Sequence, residues 1–203
     1  VVERTDLYGL WVLLVGGAKI SDKIKLLARF GKIAKNILIG GAMSNNFLAA
    51  KGFSIGKSLI EQDYIDVAKD VINNNPDNIH TPIDFVCTKD IAVGSELKVC
   101  SFDSVGADEI IVDIGPKTVL MFSEIIKQSK YILWNGPMGI IENPDFALGT
   151  RKMIDSIKEE TKSGVISIIG GGDTSSIIKN SDFKKFTHIS TGGGASLKLL
   201  SGD

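Results

Sequence analysis

Short apolar runs alternate with amphipathic stretches along this chain. Trp11–Val15 is continuously apolar and stops at Gly16-Gly17, which predicts a buried strand. Ser21 or Asp22 is placed to cap a following helix whose inner face takes Ile24, Leu27, Ala28 and Ile33. Asn36–Ile39 predicts the next strand and again ends in paired glycines, Gly40-Gly41. Asn45–Ala50 predicts a short helix closed by Gly52. Glu61–Asn73 predicts a helix with Tyr64, Val67, Ala68 and Val71 inward, stopped by the asparagine run before Pro76.

Asp84–Cys87 and Ile110–Asp113 predict further strands. Between them, Thr88–Ala107 reads as a loop excursion holding a short strand near Lys98–Ser101. Pro116 suits the first turn of a helix running to about Gln128. A strand at Tyr131–Trp134, a helix at Asp145–Glu160 and a strand at Val165–Ile169 follow, the last ending in Gly170-Gly171-Gly172. A helix is expected from about Thr174, then a short strand at His188–Ser190, then a last helix opened by Gly192-Gly193-Gly194. The strands lack an inside/outside alternation, as expected when helices cover both faces of a sheet. This alternation of strand and helix predicts an α/β chain: a three-layer α/β/α, Rossmann-like domain on a parallel, doubly wound sheet of about six strands. Residues 1–203 carry no repeat, low-complexity tract or linker, so one domain is expected.

Composition narrows the function classes. Hydrophobic residues make up 43% and charged residues 23% of the 203, an ordinary globular balance. With 23 basic and 24 acidic residues the net charge is −1, so no global field recruits nucleic acid or anionic lipid. Any phosphate must be bound by a local site. The two cysteines, Cys87 and Cys100, form no CxxC pair and follow no secretory signal, which favours a reducing, cytoplasmic setting. No apolar run is long enough to span a bilayer. The first residue is Val1 rather than Met, as in a fragment or a processed chain.

Glycine is the outlier: 22 residues, many of them clustered after apolar strands. The segments are Gly16-Gly17-Ala18-Lys19, Gly40-Gly41, Asn135-Gly136-Pro137-Met138-Gly139, Gly170-Gly171-Gly172-Asp173 and Gly192-Gly193-Gly194. Any one of them is explained by a tight turn. Together they should meet at the carboxyl edge of the sheet, where open α/β sheets bind ligands and helix N-termini present free N–H groups to anions. A phosphate-bearing ligand is the expectation. Lys19 and Lys23 are four apart and can share a face at a helix start, where two cations oppose the macrodipole unless an anion is present. Solvated lysines are the plainer reading. Asp173 suits either a helix N-cap or a magnesium carboxylate beside phosphates.

Several alternatives fail. Gly52–Ser58 resembles a P-loop but is one residue short and follows a helix, so it reads as a surface turn. The dinucleotide fingerprint GxGxxG is broken at Ser175 after Gly170 and Gly172, and at Leu197 after Gly192 and Gly194. That disfavours an NAD-dependent oxidoreductase. His80 and His188 lack a nucleophile motif and read as structural or exposed.

Val15–Lys23, Ile39–Met43, Asp113–Thr118, Trp134–Gly139, Gly170–Thr174 and Ser190–Ser196, in that order, resemble the conserved segments of the phosphoglycerate kinase family. The resemblance runs from about Leu13 to the end, while Val1–Trp11 departs from it. It implies the C-terminal, nucleotide-binding domain of a two-domain glycolytic enzyme, with sheet order 3-2-1-4-5-6. It implies phosphoryl transfer between 1,3-bisphosphoglycerate and MgADP, giving 3-phosphoglycerate and MgATP, by a monomer. Lys23, Gly171, Gly172, Asp173 and Thr174 would handle the nucleotide phosphates, with Asp173 holding Mg²⁺. Glu142 would bind the ribose, and Gly17, Ala18, Gly40, Gly41, Asn135 and Pro137 would line the nucleotide cleft. Lys19 and Gly192, Gly193 and Gly194 would stabilise the phosphoryl group in flight. Ile111 stands where some members have glycine, so no nucleotide contact is carried to it. The arginine-rich acceptor domain has no counterpart in this sequence; only Arg29 and Arg151 follow Arg4, and neither is in a glycine-rich segment. The chain alone is therefore expected to bind nucleotide without turning over 3-phosphoglycerate. A non-catalytic nucleotide-binding module is the runner-up.

Overall fold

A computed structural model describes residues 10–190 and 192. In chain order the elements are β1 (Trp11–Val15), α1 (Ile24–Phe30), β2 (Ala34–Ile39), α2 (Ser44–Ala50), α3 (Ile65–Asn74), β3 (Ile79–His80), β4 (Asp84–Thr88) and β5 (Lys98–Ser101). They continue with β6 (Ile110–Ile114), α4 (Pro116–Lys127), β7 (Tyr131–Asn135), α5 (Leu148–Lys162), β8 (Ile166–Gly170), α6 (Gly172–Ser176) and β9 (His188–Ser190). A six-stranded sheet runs β3-β2-β1-β7-β8-β9 with parallel pairings throughout. Counted along the chain within that sheet, this is the order 3-2-1-4-5-6.

Alternate residues of each central strand feed opposite layers. Val12 and Leu14 of β1 join Trp134, Phe122, Ile126, Met153 and Ile157 on the side of α4 and α5. Leu13 and Val15 join Leu26, Leu27, Phe30, Phe47 and Ala68 on the side of α1, α2 and α3. Burying each large aliphatic side chain contributes ~1.5–3 kcal/mol, so a strand apolar on both faces is held from both. That is why β1, β2 and β7 read as unbroken apolar runs.

The other two long apolar segments were expected in the same sheet, and here the structure differs. β4 and β6 leave it and, with β5, form a three-stranded antiparallel sheet of order β5-β4-β6. The reason is connectivity. A parallel neighbour needs a crossover, usually helical, and no helix lies between Asp84 and Ile114. The outer strand of the parallel sheet is instead the two-residue β3, too short to show a pattern.

Some local expectations also shift. Neither Ser21 nor Asp22 caps α1, which starts after Lys23 without a side-chain cap. Ser21 donates instead to Glu61, from its amide at 3.0 Å and from its hydroxyl at 2.6 Å. The buried residues of α1 are Leu26, Leu27 and Phe30, while Ala28 faces outward. The Glu61–Asn73 segment splits into a 3₁₀ turn at Gln62–Tyr64 and α3, in which Ala68 alone is buried. The expected helix at Asp145 is likewise a 3₁₀ turn, Pro144–Phe146, followed by α5. Asp173 lies in the first turn of α6, which Gly171 caps. The last helix, expected after Gly192, falls outside the described residues.

Candidate functional site

The strand-end loops after β1, β2 and β7 are bonded to one another through backbone. Gly17 N donates to Pro137 O at 2.9 Å, Gly41 N to Met138 O at 2.8 Å and Met43 N to Gly17 O at 3.0 Å. Such approach tolerates no side chain. Gly136 has φ of 93°, and a Cβ there would stand 2.2 Å from Gly16 O. Gly41 has φ of 63°, and its Cβ would meet Gly17 N at 2.5 Å. The glycines thus have a use beyond direct ligand approach: they fuse three loops into one floor.

Above that floor opens a cleft of roughly 270 Å³. Of the residues expected to form the site, Gly17, Ala18, Gly41, Pro137, Glu142 and Asp173 line it. Gly40 is buried behind them; a Cβ on it would strike Met138 Sδ at 2.4 Å. Thr174 is buried too, its Oγ1 accepting the Gly136 N–H at 2.8 Å and so tying α6 to the β7 loop. Asn135 is a buried partner of Lys23, whose Nζ donates to its Oδ1 at 2.5 Å.

Lys23 is half-buried, and desolvation lowers its pKa, opposed by the nearby negative charges of Asp22 and Asp173. The ammonium is thus partly desolvated, with Asp22 and the cleft's Asp173 within electrostatic reach. Gly171 and Gly172 sit at the start of α6 beside Asn135. Lys19 is exposed and acts on Glu61. Burial pushes the Glu61 carboxyl up, but the Ser21 hydrogen bonds and the Lys19 charge outweigh it and hold the group below its ordinary value. Gly192 is exposed; Gly193 and Gly194 lie outside the described residues. Gly52–Ser58, read as a surface turn, is partly buried: Ser58 is buried, and Phe53 and Ile55 pack against Phe85, Cys87 and Cys100. Its Lys57 amide bonds Glu109 O at 2.7 Å, and its Ser58 Oγ accepts from Ile111 N at 2.8 Å. His80 bonds Asn36 Oδ1 at 2.7 Å, and His188 is exposed.

The opposite wall of the cleft was not anticipated. It is apolar, built by Ile110–Ile114 of β6 with Phe85, Leu59 and Ile140. Ile111, where no contact was carried over, is part of it. The sequence offered only the apolar run itself, which reads equally as core. Asp113, at the end of that wall, is buried and accepts from Gly149 N at 2.6 Å and Ile114 N at 2.9 Å. Burial raises its carboxyl to about 7 even though both hydrogen bonds pull it down.

A cleft with one apolar wall, a backbone-lined floor and Asp173 at its lining, with the Lys23 ammonium within electrostatic reach, suits a ligand with a flat apolar end and a phosphate end. Comparison with known proteins then decides the family. The model of the family described as phosphoglycerate kinase matches residues 9–203. The chain belongs to the phosphoglycerate kinase family. The match begins four residues before Leu13, so Gly9–Val12 belongs to it as well. The phosphoglycerate kinases of Solibacter usitatus and Macrococcus caseolyticus are each 44% identical over 193 residues, spanning 95% of this chain and 48% of the relative. The solved phosphoglycerate kinase of Coxiella burnetii superposes with a TM-score of 0.90 at 34% identity, over 95% of this chain and 50% of that one. That of Pyrococcus horikoshii gives 0.79 at 29%, over 96% and 50%. The chain thus spans about half the length of the phosphoglycerate kinases it matches. No helix among the described residues is long and apolar enough to cross a membrane.

Proposed function

We propose that residues 1–203 form the nucleotide-binding domain of a phosphoglycerate kinase, which passes a phosphoryl group between 1,3-bisphosphoglycerate and MgADP in the cytoplasm. The carrying observation is the Lys23 ammonium, desolvated, bonded to Asn135 and within reach of Asp173. A partly desolvated cation at the carboxyl edge of a parallel sheet is placed for phosphate oxygens. The nucleotide base lies against the apolar β6 wall, with Glu142 at the ribose and the α6 start at the phosphates. Lys19 and the Gly192–Gly194 segment meet the transferring group. Phosphoryl transfer asks for positioning and charge stabilisation, which a cation and backbone N–H groups supply. The acceptor, 3-phosphoglycerate or its 1,3-bisphosphate, is held by the family's other lobe, and the working unit is a monomer.

Asp173 fits a magnesium ion. Its carboxylate is exposed at the cleft, at the start of α6. That suits an ion that takes few protein ligands and fills its shell from phosphate and water. When bound, the ion neutralises phosphate charge. Calorimetry tests the reading: Asp173→Ala should weaken MgADP roughly tenfold or more while changing metal-free ADP less than about twofold. Equal loss with and without magnesium would remove Asp173 from the metal role.

A further inference from the structure

Cys87 on β4 and Cys100 on β5 are both buried free thiols. Cys87 pairs with Lys98 and Cys100 with Phe85, so the two cysteines are diagonal neighbours on the inward face of the antiparallel sheet. Glu109, immediately before β6, is also buried. The two sulfurs and a Glu109 oxygen all lie within 4.8 Å of one another. The carboxylate accepts from Gly106 N at 2.7 Å and contacts Cys100 Sγ at 3.6 Å. Its other oxygen is 2.5 Å from Lys98 Nζ, whose side chain is 53% exposed. Glu109, one member of the cluster, therefore already holds a cation, a lysine ammonium on a flexible stem. An open hollow of about 310 Å³, lined by Cys87, Lys98, Glu96 and Glu109, connects it to solvent.

The register separates two uses of paired thiols. A disulfide needs Cα atoms about 4.4–6.8 Å apart. Diagonal neighbours in an antiparallel pair stand about 7–8 Å apart, measured between Cα atoms. A bridging metal tolerates the wider spacing, because each sulfur sits about 2.3 Å from a zinc-sized ion. We propose that Cys87, Cys100 and Glu109 bind a thiophilic divalent cation such as Zn²⁺, with the fourth position open to the hollow. On binding, the two thiols release their protons to water, and the Lys98 ammonium swings out of the carboxylate. Thiolates with one carboxylate form a donor set for zinc rather than magnesium.

The test uses the full chain without nucleotide, titrated with Co²⁺ as a spectroscopic zinc substitute. Near-ultraviolet thiolate charge-transfer bands should saturate at one equivalent and be displaced by Zn²⁺. Cys100→Ser and Cys87→Ser should abolish or shift those bands. Glu109→Gln should weaken Zn²⁺ by more than the roughly 10–100-fold that losing an outer partner costs. Lys98→Ala leaves every ligand in place and should bind Zn²⁺ more tightly, since the competing ammonium is gone. This exposed change also keeps the test open if a buried-cysteine variant fails to fold. Absence of charge-transfer bands in the folded wild-type chain would overturn the proposal, as would bands that persist when both cysteines are serine. Weaker zinc binding by Lys98→Ala would overturn it too.

Discussion

The two sheets of this molecule hold their surroundings by different means. At the carboxyl edge of the parallel sheet, backbone bonds backbone: Gly17 to Pro137, Gly41 to Met138, Met43 to Gly17. The antiparallel sheet has one such backbone bond to that edge, Ile140 N to Val112 O at 2.9 Å, and adds buried carboxylates. Asp84 of β4 accepts the first-turn amides of α4, Lys117 at 2.9 Å and Thr118 at 2.7 Å, and also the Thr118 hydroxyl at 2.7 Å. Asp113 of β6 accepts Gly149 at the start of α5. Backbone locking depends on having no Cβ in the way and is indifferent to pH. Side-chain locking depends on particular carboxylates and can titrate. The cleft lies between the two, with a rigid floor and a wall whose attachment is ionisable.

The largest test of that contrast is steric. Gly136→Ala places a Cβ against Gly16 O at a left-handed φ. It should destabilise the chain by about 4 kcal/mol and open the cleft floor. Gly94, in the excursion before β5, also has positive φ, but its Cβ would meet nothing within 4 Å. Gly94→Ala should cost only about 1 kcal/mol, the backbone strain alone. Urea midpoints of the two variants make the comparison, and equal losses would contradict the fused floor.

Asp84→Ala comes next. It removes the acceptor of two buried amides and a hydroxyl at the start of α4, and about 3 kcal/mol of stability should go with it. Full stability in this variant would mean that the Asp84 bonds do not hold β4 to α4.

A change of pH rather than of sequence tests the buried carboxylate of Asp113. Its folded pKa, about 7, lies above its ordinary 3.8, because burial disfavours the charge. Between those values the unfolded chain has lost the proton and the folded one keeps it, so stability falls as pH rises through that window. Below the lower value and above the higher one the contribution is flat. Relative to Asp113→Asn, the wild type should lose about 3 kcal/mol from pH 4 to pH 7. Parallel stability curves for the two proteins would show that Asp113 is ionised in the fold.

Much of the site was legible because glycine after an apolar strand has few explanations. Gly17, Ala18, Gly41, Pro137 and Asp173 reach the cleft as their positions imply. Gly40 and Thr174, read as contacts, are buried, and a motif does not say which of two adjacent residues faces out. Ile111 and its neighbours were missed because an apolar wall and an apolar core have the same composition.

By itself the sequence determined the parallel sheet. Continuous apolar runs separated by amphipathic helices leave little choice once both faces must be buried, and the glycine breaks mark one edge. Only the tertiary structure decided where Asp84–Thr88 and Ile110–Ile114 went. Their composition fits a central strand, but without a helix between them they could pair only antiparallel. The same pairing put Cys87, Cys100 and Glu109 in one place. Strand register sets those distances, and register depends on partners that the local sequence does not contain.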